Sequence, residues 1–231
     1  MKQDKVAVVT GASQGIGLAI ATELASLGYS LGLIARTKAD IEKTSRDIQK
    51  KYPDVKVINA AFNIVDGAKA DNFIRRVCSE LGSISVLINN AGYYRSGTSS
   101  VPMDEVQRLI DVNFFAAVRF VQAVLPSMKK LGHGYIFNIA SLAGVETFAE
   151  VGSYSGSKFA LVGYSKSLAQ ELAPLGIKVT VLCPSWVNTK NSKDAPMKPV
   201  QMIQVEDLAL TIRYLLSLGS SALVREIIIR C

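Results

Sequence analysis

At 231 residues the chain has the size of one substantial domain, and nothing in its length demands a second. It is 49% hydrophobic and only 19% charged, which excludes a disordered chain and favours strands buried on both faces. The net charge of +7 is scattered in pairs such as Lys50/Lys51, Arg75/Arg76 and Lys129/Lys130. That pattern reads first as a solvated surface and second as attraction for an anionic cofactor, and no nucleic-acid partner is expected.

Apolar runs such as VAVVT at 6–10 and VTVLC at 179–183 are short beside the roughly 20 residues of a membrane span, so no membrane partner is expected. The opening MKQDKVAVVTG runs into a glycine loop, and no signal peptide is read there. Cys78, Cys183 and Cys231 are odd in number and far apart, which supports neither a disulfide framework nor a metal site and fits a cytoplasmic setting. With no histidine to partner them, Cys78 and Cys183 are expected to pack, and the single His133 to sit in a turn.

In chain order, KVAVVT at 5–10 predicts a buried strand, followed by a glycine loop and a helix marked by Ile16, Ile20, Leu24 and Leu27 and closed by Gly28. Further strands are predicted near 30–35, 55–60, 84–89, 134–139 and 177–182, with helices near 38–51, 67–81, 103–130 and 153–173. A helix at 205–217 and a strand at 225–230 complete the series. The alternation predicts an α/β fold: one domain over 1–231, a doubly wound parallel sheet of Rossmann type with helices on both faces. Its switch point lies beside the first strand, and ligands are expected at the C-terminal strand ends. Residues 188–204, polar and holding two prolines, are either a binding loop or a plain exposed connection.

Gly11, Gly15 and Gly17 in TGASQGIG follow the first strand at the mouth of a helix, where backbone amides and the helix dipole favour phosphate. The spacing GxxxGxG is neither GxGxxG nor a P-loop, so an ATPase is excluded. The Thr10 hydroxyl is placed to pin this loop to a neighbouring strand end, for which NNAG at 89–92 is the candidate.

Tyr154 and Lys158 stand four residues apart in a helical pattern, which puts phenol and ammonium on one face. A nearby cation favours the phenolate, so Lys158 is expected to lower the phenol's pKa from its usual value of about 10. Ser141 lies just past the strand YIFNIA, where its hydroxyl emerges beside the glycine loop.

Taken together, TGASQGIG at 10–17, NNAG at 89–92, Asn113, Ser141 and YSGSK at 154–158 resemble the short-chain dehydrogenase/reductase family, and in particular the 3-oxoacyl-carrier-protein reductases, over essentially the whole chain. The resemblance implies that Tyr154 is the general acid for a carbonyl reduced by hydride, or the base in reverse. Lys158 would lower the phenol's pKa and hold the nicotinamide ribose, Ser141 would orient the substrate oxygen, and Asn113 would hold a water linking Lys158 to solvent. No metal is implied. The cofactor would lie against Gly11, Ser13, Gln14, Gly15, Ile16, Gly17, Asn63, Ile64, Asn90, Ala91, Gly92, Tyr154, Lys158, Pro184, Val187 and Thr189.

Where an NAD-preferring relative carries an acid after the second strand, this chain has Ala35 and Arg36, followed by Thr37 and Lys38. An arginine pairs with a 2′-phosphate, so NADP(H) is expected, the other reading being an Arg36 that points into water. Asn63 replaces the aspartate many relatives place near the adenine, and keeps a side-chain acceptor for it. Ser185 replaces a glycine common in the family, and Trp186 either shapes the substrate pocket or packs in the core. Leu142, Ala143, Val145, Phe148, Tyr93, Tyr94 and the 188–204 loop would line a mostly apolar substrate side, suited to a hydrophobic or acyl carbonyl. A homodimer or homotetramer is implied, with some of Phe114, Phe115, Val118, Phe120, Val121, Leu161, Val162 and Leu168 facing a partner. The alternatives are an NAD-dependent secondary-alcohol dehydrogenase and a non-catalytic nucleotide sensor, which would be expected to lack Tyr, Lys or Ser at the site.

Overall fold

The run Val6–Thr10 is buried throughout and forms the central strand β1. It pairs in parallel with β2 (Ser30–Ala35) on one side and β4 (Val86–Asn89) on the other. Adding β3 (Val57–Ala61), β5 (Gly134–Ile139), β6 (Ile177–Pro184) and β7 (Glu226–Ile229) gives a seven-stranded parallel sheet in the order β3-β2-β1-β4-β5-β6-β7. The order turns back between β1 and β4, which opens a crevice at the C-terminal ends of these strands. This computed structural model describes residues 5–190, 192 and 195–231.

Helices α1 (Gly15–Ser26), α2 (Lys38–Lys51) and α7 (Val205–Ser217) cover one face through Ile20, Leu24, Ile41, Leu208 and Ile212. On the other face α3 (Gly67–Leu81), α5 (Ala116–Leu131) and α6 (Gly152–Leu172) contribute Phe73, Val77, Phe120, Val124 and Leu168, while α4 (Met103–Ile110) packs against α6. With both faces covered, the inner strands β1 and β4 are buried along their whole length and mostly apolar, as a parallel sheet requires. The expected doubly wound fold is present.

Three of the departures from the predicted boundaries have a physical cause in the packing or the chain. The helix predicted over 103–130 is interrupted by a π-helical turn at Asp111–Phe115 between α4 and α5. The catalytic-motif helix α6 stops at Leu172 and tightens into a 3₁₀ turn, Ala173–Leu175, where Pro174 cannot continue the α-helical bonding. Val55, predicted to open the third strand, packs in the core from a turn before β3 begins.

The helical run Met103–Leu131 is long and apolar enough to cross a membrane by composition. Its residues Phe120, Val121, Val124 and Met128 are fully buried in the core that lies on the sheet, which is the setting of a core helix. The 188–204 loop is closed at its base, where Val187 and Ile203 form a parallel bridge and Asn188 N–H donates to the Ile203 carbonyl at 2.8 Å. Asn191, Lys193 and Asp194 of that loop lie outside the described residues.

Candidate active site

The glycine loop is welded to the end of β4. Thr10 Oγ1 accepts from the backbone N–H groups of Asn90 and Ala91, both at 3.0 Å, and donates to the Ile88 carbonyl at 3.3 Å. Asn90 Nδ2 donates back to the Thr10 and Gly11 carbonyls at 2.9 and 3.2 Å. Gly11 adopts φ +66°, a left-handed conformation that favours glycine. At Gly17 a Cβ would stand 2.5 Å from Asn90 Nδ2 and collide with the Gly11 carbonyl, so this close approach also needs a glycine. Thr10 therefore joins the two loops as its position after the first strand suggested.

Across the crevice, β5 ends at Ile139 and delivers Ser141 in extended conformation, where its Oγ accepts from Ala143 N–H at 3.2 Å and caps a 3₁₀ turn, Leu142–Gly144. The Tyr154 phenol projects from the first turn of α6, and the Ser141 side chain is near enough to act on its pKa. Lys158, one turn further along and buried, places Nζ 5.8 Å from the centre of the Tyr154 ring and donates to the Ile139 carbonyl at 3.0 Å.

The electrostatics differ from the expectation. Burial pushes the Tyr154 phenol up to about 12. Burial likewise lowers Lys158 to about 8. The sequence spacing suggests a phenol lowered by its lysine, but here desolvation of the phenolate dominates, and the influence that opposes it comes from Ser141.

Asn113 occupies the middle of the π-helical turn and is 2% exposed. Its Oδ1 accepts from Tyr93 N–H at 2.7 Å, and its Nδ2 donates to the Tyr93 carbonyl and to Ser157 Oγ, both at 2.9 Å. Ser157 Oγ in turn donates to the Tyr154 carbonyl at 2.7 Å. The carboxamide is thus committed to protein partners, and what Asn113 supplies is the link between the loop after β4 and the catalytic turn of α6. Below it, Asn89 Nδ2 donates to Asn138 Oδ1 at 2.9 Å and Asn138 Nδ2 to Ser165 Oγ at 2.8 Å, a buried polar ladder joining β4, β5 and α6. Sequence reasoning assigned no role to Asn138, Ser157 or Ser165. Ser157 lay inside a quoted motif and was the one with a signal.

The chain matches the short-chain dehydrogenase family over residues 5–199. It is a short-chain dehydrogenase. Among its relatives is an uncharacterized oxidoreductase of Staphylococcus saprophyticus, 33% identical over 229 residues, covering 99% of this chain and 97% of that protein. A beta-ketoacyl-[ACP] reductase from Bacteroides thetaiotaomicron superposes with TM-score 0.87 at 40% identity, over 99% of this chain and 97% of that one. L-Sorbose reductase from Gluconobacter frateurii, solved with NADPH and L-sorbose, superposes with TM-score 0.90 at 27% identity, over 99% and 95% of the two chains.

The loops of this short-chain dehydrogenase fit a nicotinamide dinucleotide. α1 starts without a side-chain cap at Gln14 and without an acid in its first turn, so its N-terminal amides face the crevice ready for a pyrophosphate. Ser13 and Ile16 flank this turn, and Thr189 lies over it, its Cγ2 being 3.3 Å from the Cβ position of Gly15. Gly92 lies beside Lys158 Nζ and Asn113 Oδ1, which would stand 3.7 and 3.4 Å from a Cβ there. Arg36 and Thr37 are exposed just past β2, with no acid at that strand end. Ile64 is buried, and Asn63 uses its Oδ1 on the Val65 N–H at 3.4 Å, so the acceptor expected for adenine is engaged locally. Pro184 ends β6, Val187 is buried at the base of the long loop, and Trp186, just past that strand end, is 38% exposed, so it does not pack in the core.

Proposed function

We propose that this short-chain dehydrogenase is an NADPH-dependent reductase that converts a ketone or 3-oxoacyl carbonyl to a secondary alcohol. The observation that carries the reading is the buried Lys158 ammonium 5.8 Å from the centre of the Tyr154 ring and bonded to the Ile139 carbonyl, at the strand end that also delivers Ser141. Gly11–Gly17, Asn90–Gly92 and Val187–Thr189 would hold NADPH, which would supply the hydride when bound. Ser141 holds the substrate oxygen, and Tyr154 delivers its phenolic proton to that oxygen as the carbonyl becomes an alcohol. The Lys158 ammonium stabilises the phenolate that remains and contacts the nicotinamide ribose. A water relay to Lys158 through Asn113 would use its main chain, since its amide is already bonded.

Arg36 and Thr37 are the groups for a 2′-phosphate, and the NADPH bound by L-sorbose reductase supports that choice. Tyr94, exposed and edge-on to the Tyr154 ring, and the exposed Phe148 and Trp186 favour an apolar or acyl substrate, in line with the beta-ketoacyl-[ACP] reductase relative. A homodimer or homotetramer is supported by exposed Phe115 and Phe159, whereas Phe120, Val121, Leu161, Val162 and Leu168 serve the chain's own core. Three unpaired cysteines agree with a cytoplasmic setting. The test follows NADPH consumption with a panel of ketones and a 3-oxoacyl thioester. Wild type should turn over, and Tyr154→Phe should bind NADPH normally yet lose roughly a thousandfold in rate. Comparable turnover by the variant overturns the assignment.

A further inference from the structure

Helix α6 begins without a cap of its own: Val151 at the N-cap provides no side-chain acceptor, and Gly152 and Ser153 open the first turn. The first amides of an α-helix have no partner inside it, so they must be met from elsewhere. Here they are met by the loop that follows β4. Thr98 Oγ1 accepts the Gly152 N–H at 2.8 Å and donates to the Ala149 carbonyl. The Gly97 carbonyl accepts from Ser153 N–H at 3.5 Å, Ser153 Oγ donates to the Thr98 carbonyl at 3.4 Å, and Gly97 N–H donates to the Glu150 carbonyl at 2.5 Å.

The fit leaves no slack. A Cβ on Gly152 would stand 2.5 Å from Thr98 Cγ2 and 2.7 Å from its Oγ1. Four residues earlier, the same loop carries Tyr94, whose ring meets the Tyr154 ring edge-on at 5.1 Å. The loop therefore touches α6 at its first amide and again at its catalytic phenol.

We propose that Thr98 is a positioning residue of the reductase site: as a cap supplied from another loop, it fixes the first turn of α6, and with it Tyr154, against the segment bearing Tyr94. The inference rests on the reductase reading above. Tyr154 is the third residue of α6, within the turn where the helix's positive end acts. An ordered first turn therefore aims the phenol and favours its anion as the proton leaves.

The experiment compares Thr98→Val, which keeps the shape and loses the hydroxyl, with Thr98→Ser, which keeps the hydroxyl. Thr98→Val should lower kcat roughly tenfold, a typical result of a misplaced catalytic group, with NADPH affinity unchanged. The pH at which reduction fails should move upward, because a frayed helix start no longer favours the phenolate. Thr98→Ser should restore both. Gly152→Ala adds a second arm: alanine is the better helix former, so a purely local effect would be neutral or favourable, whereas collision with Thr98 predicts the same loss of kcat. Wild-type kcat and pH profile in Thr98→Val, equal impairment in Thr98→Ser, or a parallel loss of NADPH affinity overturns the proposal. A wild type that reduces no carbonyl, or an active Tyr154→Phe, overturns the reductase reading instead. Amide hydrogen exchange at Gly152 and Ser153 then decides the cap alone: faster exchange in Thr98→Val supports it, and unchanged exchange overturns it.

Discussion

The carboxamide of Asn113 brackets Tyr93, taking its main-chain N–H on Oδ1 at 2.7 Å and giving Nδ2 to its main-chain carbonyl at 2.9 Å. Asn113→Ala strands these two backbone groups together with Ser157 in a buried setting. The expected loss of stability is about 2–4 kcal/mol, since each unpaired buried group carries its own desolvation cost. Denaturant unfolding measures it. A midpoint equal to wild type would show that the bracket contributes nothing.

Lys158 makes an opposite prediction for stability and activity. Its folded pKa of about 8 lies below its ordinary 10.5, so the unfolded chain binds the proton more tightly, and burial of the charge opposes folding at neutral pH. Lys158→Met should be more stable than wild type by about 1–3 kcal/mol at neutral pH, after allowance for the lost bond to the Ile139 carbonyl, while reduction is lost. Between pH 8 and 10.5 the wild-type lysine sheds its proton in the folded state first, its stability rises, and the variant's advantage should shrink. An advantage that stays constant across that window would show that the ammonium pays no desolvation penalty.

Arg36 stands exposed past the end of β2, where the 2′-position of a bound nucleotide is expected. Arg36→Asp exchanges a partner of the 2′-phosphate for a group that repels it. The kcat/KM ratio for NADPH over NADH should fall by roughly 10- to 100-fold. Steady-state kinetics with both cofactors checks this, and an unmoved ratio would place cofactor choice elsewhere.

Much of this architecture is legible in the sequence because β1, β2 and β4 are buried on both faces and therefore read as mostly apolar runs, each followed by turn residues. The Thr10 link to Asn90 and Ala91 is legible for a similar reason, a short hydroxyl at a strand end beside a second strand end. The π-helical turn is not, because the apolar spacing runs through Val112, Phe114 and Phe115 without a break and the cause lies 20 residues away in the Tyr93 main chain. Thr98 is equally silent: its partners are backbone groups of Gly152 and Ala149, and backbone leaves no mark in a side-chain pattern. The direction of the Tyr154 shift is not legible either, because spacing reveals a neighbouring charge and says nothing of how deeply both groups are buried.

The bridge between Val187 and Ile203 means that the chain departs from the sheet and comes back at the same spot. A change in the number of residues between them moves neither anchor, and loop length itself carries little entropic cost. The part of the stretch beyond Thr189 is thus interchangeable, one that descent or an engineer can lengthen or shorten while the strand ends that frame the crevice are inherited untouched.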